Sequence, residues 1–177
     1  LTAGETATAS LSFYNSTYRS TKLVMPRING WNEGLPSNYS ISVFNDVSDI
    51  SADLQKKGDA VTTTRPSYME ANDGSVFWTN VEGSNLKLKK YGDASYSRTL
   101  IVNPYECGAL YYDFMSDKMY YYKVADTDGY IYEITDYRKS TDTVTDNLVV
   151  KFPLTLSAYL CGVNGFAIDG TQLIIIG

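Results

Sequence analysis

The first fourteen residues alternate. Leu1, Ala3, Ala7, Ala9, Leu11 and Phe13 take odd positions, with Glu5 as the interruption, while Thr2, Gly4, Thr6, Thr8, Ser10, Ser12 and Tyr14 take the even ones. A strand turns successive side chains to opposite faces, so this period sets a small apolar face against a hydroxyl-bearing one. Shorter runs rich in Val, Ile, Tyr, Phe and Thr follow at 22–25, 39–44, 75–81, 86–91, 98–102, 109–114, 118–124, 130–135, 147–152, 156–160 and 173–176. Such residues fit a pleated surface.

Turn chemistry separates the runs. Asn29-Gly30, Asn72-Asp73-Gly74, Glu82-Gly83-Ser84, Tyr91-Gly92-Asp93, Asp128-Gly129, Asn164-Gly165 and Asp169-Gly170 supply residues that tolerate positive φ. Residues 126–129 and 115–118 read as hairpin turns. Residues 27–37, with Gly30, Gly34 and Pro36, read as the most loop-like stretch. One short helix is expected over 45–58. Val47, Ile50 and Leu54 share a face there, Asn45 or Asp46 caps the start and Gly58 ends it. The pattern predicts a single all-β domain over 1–177, an antiparallel sandwich or jelly roll of about 10–12 short strands.

Both ends of the chain read as strands. The run Leu173-Ile174-Ile175-Ile176 implies burial on both faces. Residues 1–14 either pair within their own domain or act as an exchangeable strand that completes a neighbour's sheet. The chain opens without Met and without a charged-then-apolar leader, as expected of a mature or trimmed product.

Composition narrows the chemistry. The chain of 177 residues has no histidine, which removes Ser-His-Asp and Cys-His nucleophile activation, His-ligated zinc and a histidine pH switch. Its net charge is −5. The longest basic cluster, Lys87, Lys89 and Lys90, interleaves with Leu86 and Leu88 and reads as a solvated strand face rather than a phosphate-binding stripe. No run approaches the ~18 apolar residues of a membrane span. Nucleic-acid partners and a membrane span are therefore not expected, and neither is a cofactor: no dinucleotide or phosphate-loop glycine pattern occurs. Cys107 and Cys161 cannot form a four-ligand zinc site; they are expected to form a disulfide, with two buried thiols as the other reading. Closing that loop would stabilise the fold by ~4 kcal/mol in the chain-entropy model. Asn15 and Asn38 begin glycosylation sequons. Together with abundant Ser, Thr and Tyr, these features lean toward a secreted or surface-exposed protein.

Fourteen Asp and six Glu remain as acid/base candidates. A glycosidase would need two of them across a cleft, one with a raised pKa. Asp126-Thr127-Asp128-Gly129 with Glu133 invites a calcium reading, but counting from Asp126 puts Ile131 where the twelve-residue loop needs glycine, so the hairpin reading is preferred.

Tyrosine is the outlier, with 16 residues. Tyr111, Tyr112, Tyr120, Tyr121, Tyr122, Tyr130 and Tyr132 crowd adjacent predicted strands. Two roles follow from that crowding: cross-strand pairing, and an aromatic contact surface for protein or glycan.

Asp73-Gly74-Ser75-Val76-Phe77-Trp78-Thr79-Asn80 resembles the strand motif of six-bladed propellers with Tyr-Trp-Thr-Asp repeats. Asp128-Gly129-Tyr130-Ile131-Tyr132 is similar to the blade motif of related lipoproteins. The match covers only these two segments and is not strictly repeated, so it implies a propeller-like fragment as the alternative fold.

The expected function is that of a non-enzymatic extracellular subunit of a fibre, pilus-like or other surface assembly. In it residues 1–14 form the inter-subunit strand and tyrosines line contacts. The alternatives are a glycan- or receptor-binding β-domain of an attachment protein, and a carboxylate-dependent glycosidase.

Overall fold

The computed structural model describes residues 22–32, 35–44, 60–62, 66–102, 109–125, 127–140, 146–153, 165–169 and 172–176. Several expectations lie outside them: the strand over 1–14, Asn15, both cysteines, the helix over 45–58 and the strand over 156–160.

The described chain is all-β and antiparallel, without a helix. β1 (Leu23–Asn32), β2 (Leu35–Phe44) and β3 (Ala60–Thr62) form one sheet, in that order. β4 (Tyr68–Glu70), β5 (Val76–Glu82), β6 (Asn85–Lys90) and β7 (Asp93–Val102) form a second, again in chain order. β8 (Leu110–Asp113), β9 (Lys118–Ala125), β10 (Asp128–Glu133) and β11 (Asn147–Pro153) form a third. β12 (Gly165–Asp169) and β13 (Gln172–Ile176) pair as a hairpin. None of these sheets closes into a barrel among the described strands, and the fold is sandwich-like.

Residues 27–32 and 35–37 lie in strands rather than in a loop. β1 runs through to Asn32 and returns as β2, with the register shifting on either side of Gly30. The glycine read as a loop marker instead sits at a bulge. Pro36 lies where β2 pairs with β1 but not with β3, so its missing N–H need not interrupt a two-sided ladder.

The sheet β8–β11 is the middle layer. Leu110, Tyr112, Met119 and Tyr121 pack with Phe77, Leu86, Leu88, Tyr96, Leu100 and Ile101 of the β4–β7 sheet. Tyr120, Tyr122 and Ile131 point the other way and pack with Phe166 and, from the same hairpin, Ile168 and Leu173. Alternation accounts for the division: 119 and 121 share one face of β9, and 120 and 122 share the other. The turns follow the glycines in part. Gly74, Gly83 and Gly92 adopt φ of 78°, 61° and 77°. Gly129 does not turn the chain; it lies inside β10, opposite Phe152.

Candidate functional site

The seven clustered tyrosines lie on β8, β9 and β10 of the middle layer, and four of them form two cross-strand pairs. Tyr111 of β8 is register partner to Tyr120 of β9, and their rings stack at 6.0 Å. Tyr121 of β9 is partner to Tyr132 of β10, stacked at 5.3 Å and 15°. Tyr130 stacks on Tyr132 at 6.3 Å. Hydroxyls tie the layers together: Tyr121 donates to the Leu100 carbonyl at 3.2 Å, and Tyr111 to the Ile168 carbonyl at 3.2 Å. A buried phenol needs such a partner, so each is both filler and tether.

Four of the seven tyrosines expected on an aromatic contact surface are buried. Tyr112, Tyr120, Tyr121 and Tyr122 are 3%, 7%, 4% and 1% exposed. They build the interior. Both faces of the middle sheet are covered, so both parities of β9 turn inward. Tyr111, Tyr130 and Tyr132 are half-buried. Burial also pushes the hydroxyl of Tyr121 far up, and that of Tyr96 up to about 12.

A polar cluster closes one end of the two large sheets. Three turns meet there: β4–β5, β8–β9 and the one after β10. The Arg138 guanidinium donates from both terminal nitrogens to the Asp117 carboxylate at 2.8 Å, from Nε to Asp73 at 3.1 Å and from Nη2 to the Asn72 side-chain oxygen at 2.6 Å. It also lies 4.4 Å from the Tyr137 ring centroid. Asp117 is held in the left-handed region at φ 55° and accepts a further hydrogen bond from the Tyr137 hydroxyl at 2.8 Å. The Arg138 hydrogen bonds hold its carboxyl well below the usual carboxylate range, and the same contacts push Arg138 up. Burial works against Asp73, but the Ser75 backbone N–H and Arg138 outweigh it and keep its carboxyl low. An open cleft of about 310 Å³ runs past Asp117, Lys118, Glu133, Asp136, Tyr137 and Arg138. Lys118 pairs with Glu133 at 2.9 Å and Lys139 with Asp136 at 2.9 Å, so opposite charges along this cleft are already matched.

A second polar link is interior. Arg98 of β7 is 1% exposed and donates to the Thr135 carbonyl and the Asp146 carboxylate. Burial pushes the Asp146 carboxyl up, against the pull of Arg98.

Nothing in the sequence singled out Arg98, Arg138, Asp117 or Asp146. One signal was available for Arg98: it shares the parity of Tyr96 and Leu100, both core residues, so a strand over 93–102 must bury it.

The remaining expected residues fall as follows. Asp128 and Glu133 stand at opposite ends of β10, Asp128 paired with Lys151 at 2.8 Å and Glu133 with Lys118. Among the described residues no group of three Cys, His, Asp or Glu is placed to hold a metal ion. Of the carboxylates, Asp73 and Asp117 share one guanidinium and both titrate low, while Asp146, which titrates high, faces Arg98. Lys87 and Lys89 alternate with buried Leu86 and Leu88 and reach Glu82 at 3.7 Å and 2.7 Å. Asn38 lies in β2. No helix among the described residues is long and apolar enough to cross a membrane.

Compared with known proteins, the chain matches no family model, no curated protein and no solved structure.

Proposed function

We propose that this chain is a non-enzymatic structural protein of the extracellular space or cell surface, working as the subunit of a fibre or other assembly built by strand contacts. The observation that carries the reading is the apolar character of two sheet edges. β11 is the outer strand of the middle sheet and exposes Leu148 and Val149, while β13 exposes Ile174 and Ile175. Unpaired N–H and C=O groups beside apolar side chains form a template for strand addition, and Lys151 and Pro153 are the only blunting residues on β11. Residues 1–14 are the matching donor by their period of two. In this reading Asn15 and Asn38 carry glycans, and a disulfide between Cys107 and Cys161 suits the compartment.

The glycan-binding alternative draws less support, because the tyrosines that would line its site are mostly interior. Deleting residues 1–14 is expected to abolish assembly under negative-stain imaging while circular dichroism keeps its β signature. A truncated chain that still assembles would sink the reading.

A further inference from the structure

The described strands repeat a unit. β4 starts a four-stranded meander that grows outward through β5 and β6 to β7, and β8 starts another through β9 and β10 to β11. The starting strands adjoin: the Ser67 hydroxyl just before β4 accepts the Leu110 N–H of β8 at 2.8 Å, and β8 reaches β12 through the Tyr111 hydroxyl. So β12 stands to β8 as β8 stands to β4, and β12–β13 covers the middle sheet from the side opposite β4–β7. The hairpin occupies the first two positions of a third such sheet. In the two complete sheets a third strand lies beyond the second. Beyond β13 no strand pairs among the described residues.

We propose that the outer edge of β13 receives residues 1–14 of a second copy of this chain, antiparallel to β13, as the third strand of that sheet. This rests on the assembly reading above and names its acceptor. Several features support the match. Residues 172–176 carry no charge and residues 1–14 carry only Glu5, so the two strands can adjoin without like-charge repulsion. Phe166, Ile168 and Leu173 pack toward the middle sheet, and the β12–β13 register puts Ile175 on the same hairpin face, where it is 39% exposed. The odd residues Leu1, Ala3, Ala7, Ala9, Leu11 and Phe13 would extend that face, and the even Thr and Ser residues would face out. Ile174, on the other face, is 48% exposed and becomes a cross-strand neighbour of the added strand.

The geometry favours a second copy over the chain's own start. The Lys22 ammonium donates to the Gly74 carbonyl at the β4–β5 turn, so the chain enters the described fold on the far side of the middle layer from β13. The seven residues 15–21 extend to at most ~25 Å, and the route crosses two layer spacings of ~10 Å each before it rounds a sheet edge. A strand from another copy meets no such limit. The contact joins unlike surfaces, so it propagates head to tail into an open filament.

Hydrogen exchange on the full-length chain tests this. The alternate amides of β13 that do not pair with β12 should exchange roughly tenfold or more slowly as protein concentration rises through the assembly threshold. Ile174→Lys, a charge on an edge strand, should remove that protection and leave the amides of β9 unchanged. Protection independent of concentration would mean that the chain's own start fills the edge, and overturns the proposal. Unprotected β13 amides in filaments that still require residues 1–14 would also overturn it while leaving the assembly reading intact. Filaments that survive deletion of 1–14 remove both.

Discussion

Met119 and Tyr121 enter the core beneath β4–β7, whereas Tyr120 and Tyr122, on the same strand, enter a smaller cluster beneath β12–β13. Among the described residues the first cluster holds thirteen buried members and the second five, so the faces are unequally sealed. A four-stranded partner covers the first face. Among the described residues a two-stranded hairpin covers the second, and it leaves Leu148 and Val149 of β11 and Ile174 and Ile175 of β13 exposed, while Phe114 and Met115 are exposed at the β8–β9 turn. The first face is also stitched by polar links: Arg98 to Thr135 and Asp146, and Arg138 to Asp73 and Asp117. The second has the Tyr111 hydroxyl on the Ile168 carbonyl. The same strands thus feed one face built for permanence and another whose cover stops at an edge.

Truncation of one aromatic on each face is the strongest way to break this comparison. Phe77 is fully buried and meets Tyr96 and Tyr137 edge-to-face at 5.5 Å and 5.3 Å. Phe77→Ala should cost about 3–5 kcal/mol in urea unfolding, from lost transfer energy plus a cavity that its crowded neighbours cannot fill. Among the described residues Phe166 meets one ring, Tyr111, at 5.8 Å. Phe166→Ala should cost about 2–3 kcal/mol and appear first as faster amide exchange in β12–β13, with β9 still protected. Equal costs, or simultaneous exchange of all strands, would mean that the faces are equivalent.

The reach of sequence reasoning follows the same division. Runs of β-branched and aromatic residues marked β2, β5, β6, β7, β8, β9, β10, β11 and β13 in whole or in part, because such side chains fit a pleated surface, whereas the cleanest period-two segment, 1–14, lies outside the described residues. That reading missed β4 and β3, which have three residues each, too few to stand out, and β12, whose ends Asn164-Gly165 and Asp169-Gly170 read as turns. It also took β1 for a loop past Arg27, because a bulge glycine and a hairpin glycine look alike in sequence. The tyrosine cluster was legible as pairs, but its burial was not. Burial depends on what covers the sheet, and the covering strands β4–β7 and β12–β13 lie up to 57 residues away from their tyrosine contacts. The polar links are the least legible part. Arg138 finds Asp73 at a separation of 65 residues, through turns whose meeting is a property of the layered fold.

Gly129 offers a smaller test of the less sealed face. A Cβ there would lie 2.6 Å from the Phe152 ring and 3.1 Å from Tyr122. Phe152 fills the space above the glycine and stacks on Tyr122 at 6.2 Å, which repairs a gap that glycine leaves in a strand. Gly129→Ala should therefore cost about 1–2 kcal/mol by displacing that ring. The double variant Gly129→Ala/Phe152→Ala should then show clear non-additivity. A neutral Gly129→Ala would mean that the Phe152 ring swings away freely, making the β10–β11 edge looser than the comparison requires.

The smallest expected effect separates the two polar links on the sealed face by pH. Asp117 is 40% exposed, so Asp117→Asn should cost only about 1 kcal/mol or less at neutral pH despite the number of its partners. Its folded pKa lies below the unfolded value, so its contribution is full above the unfolded carboxylate pKa of about 3.9 and fades as the pH falls below it. Wild type and Asp117→Asn should accordingly converge in acid. Asp146 has the opposite sign: burial raises its folded pKa, so folding is most favoured by its protonated form and loses that advantage as pH rises through the raised value. Asp146→Asn should gain on wild type as pH rises through that window; a penalty that instead grows with pH would show that the Arg98 attraction outweighs desolvation and lowers the folded pKa. Unfolding free energies across about pH 2–7 for the two variants therefore distinguish a solvent-facing clamp that acid loosens from an interior one governed by desolvation.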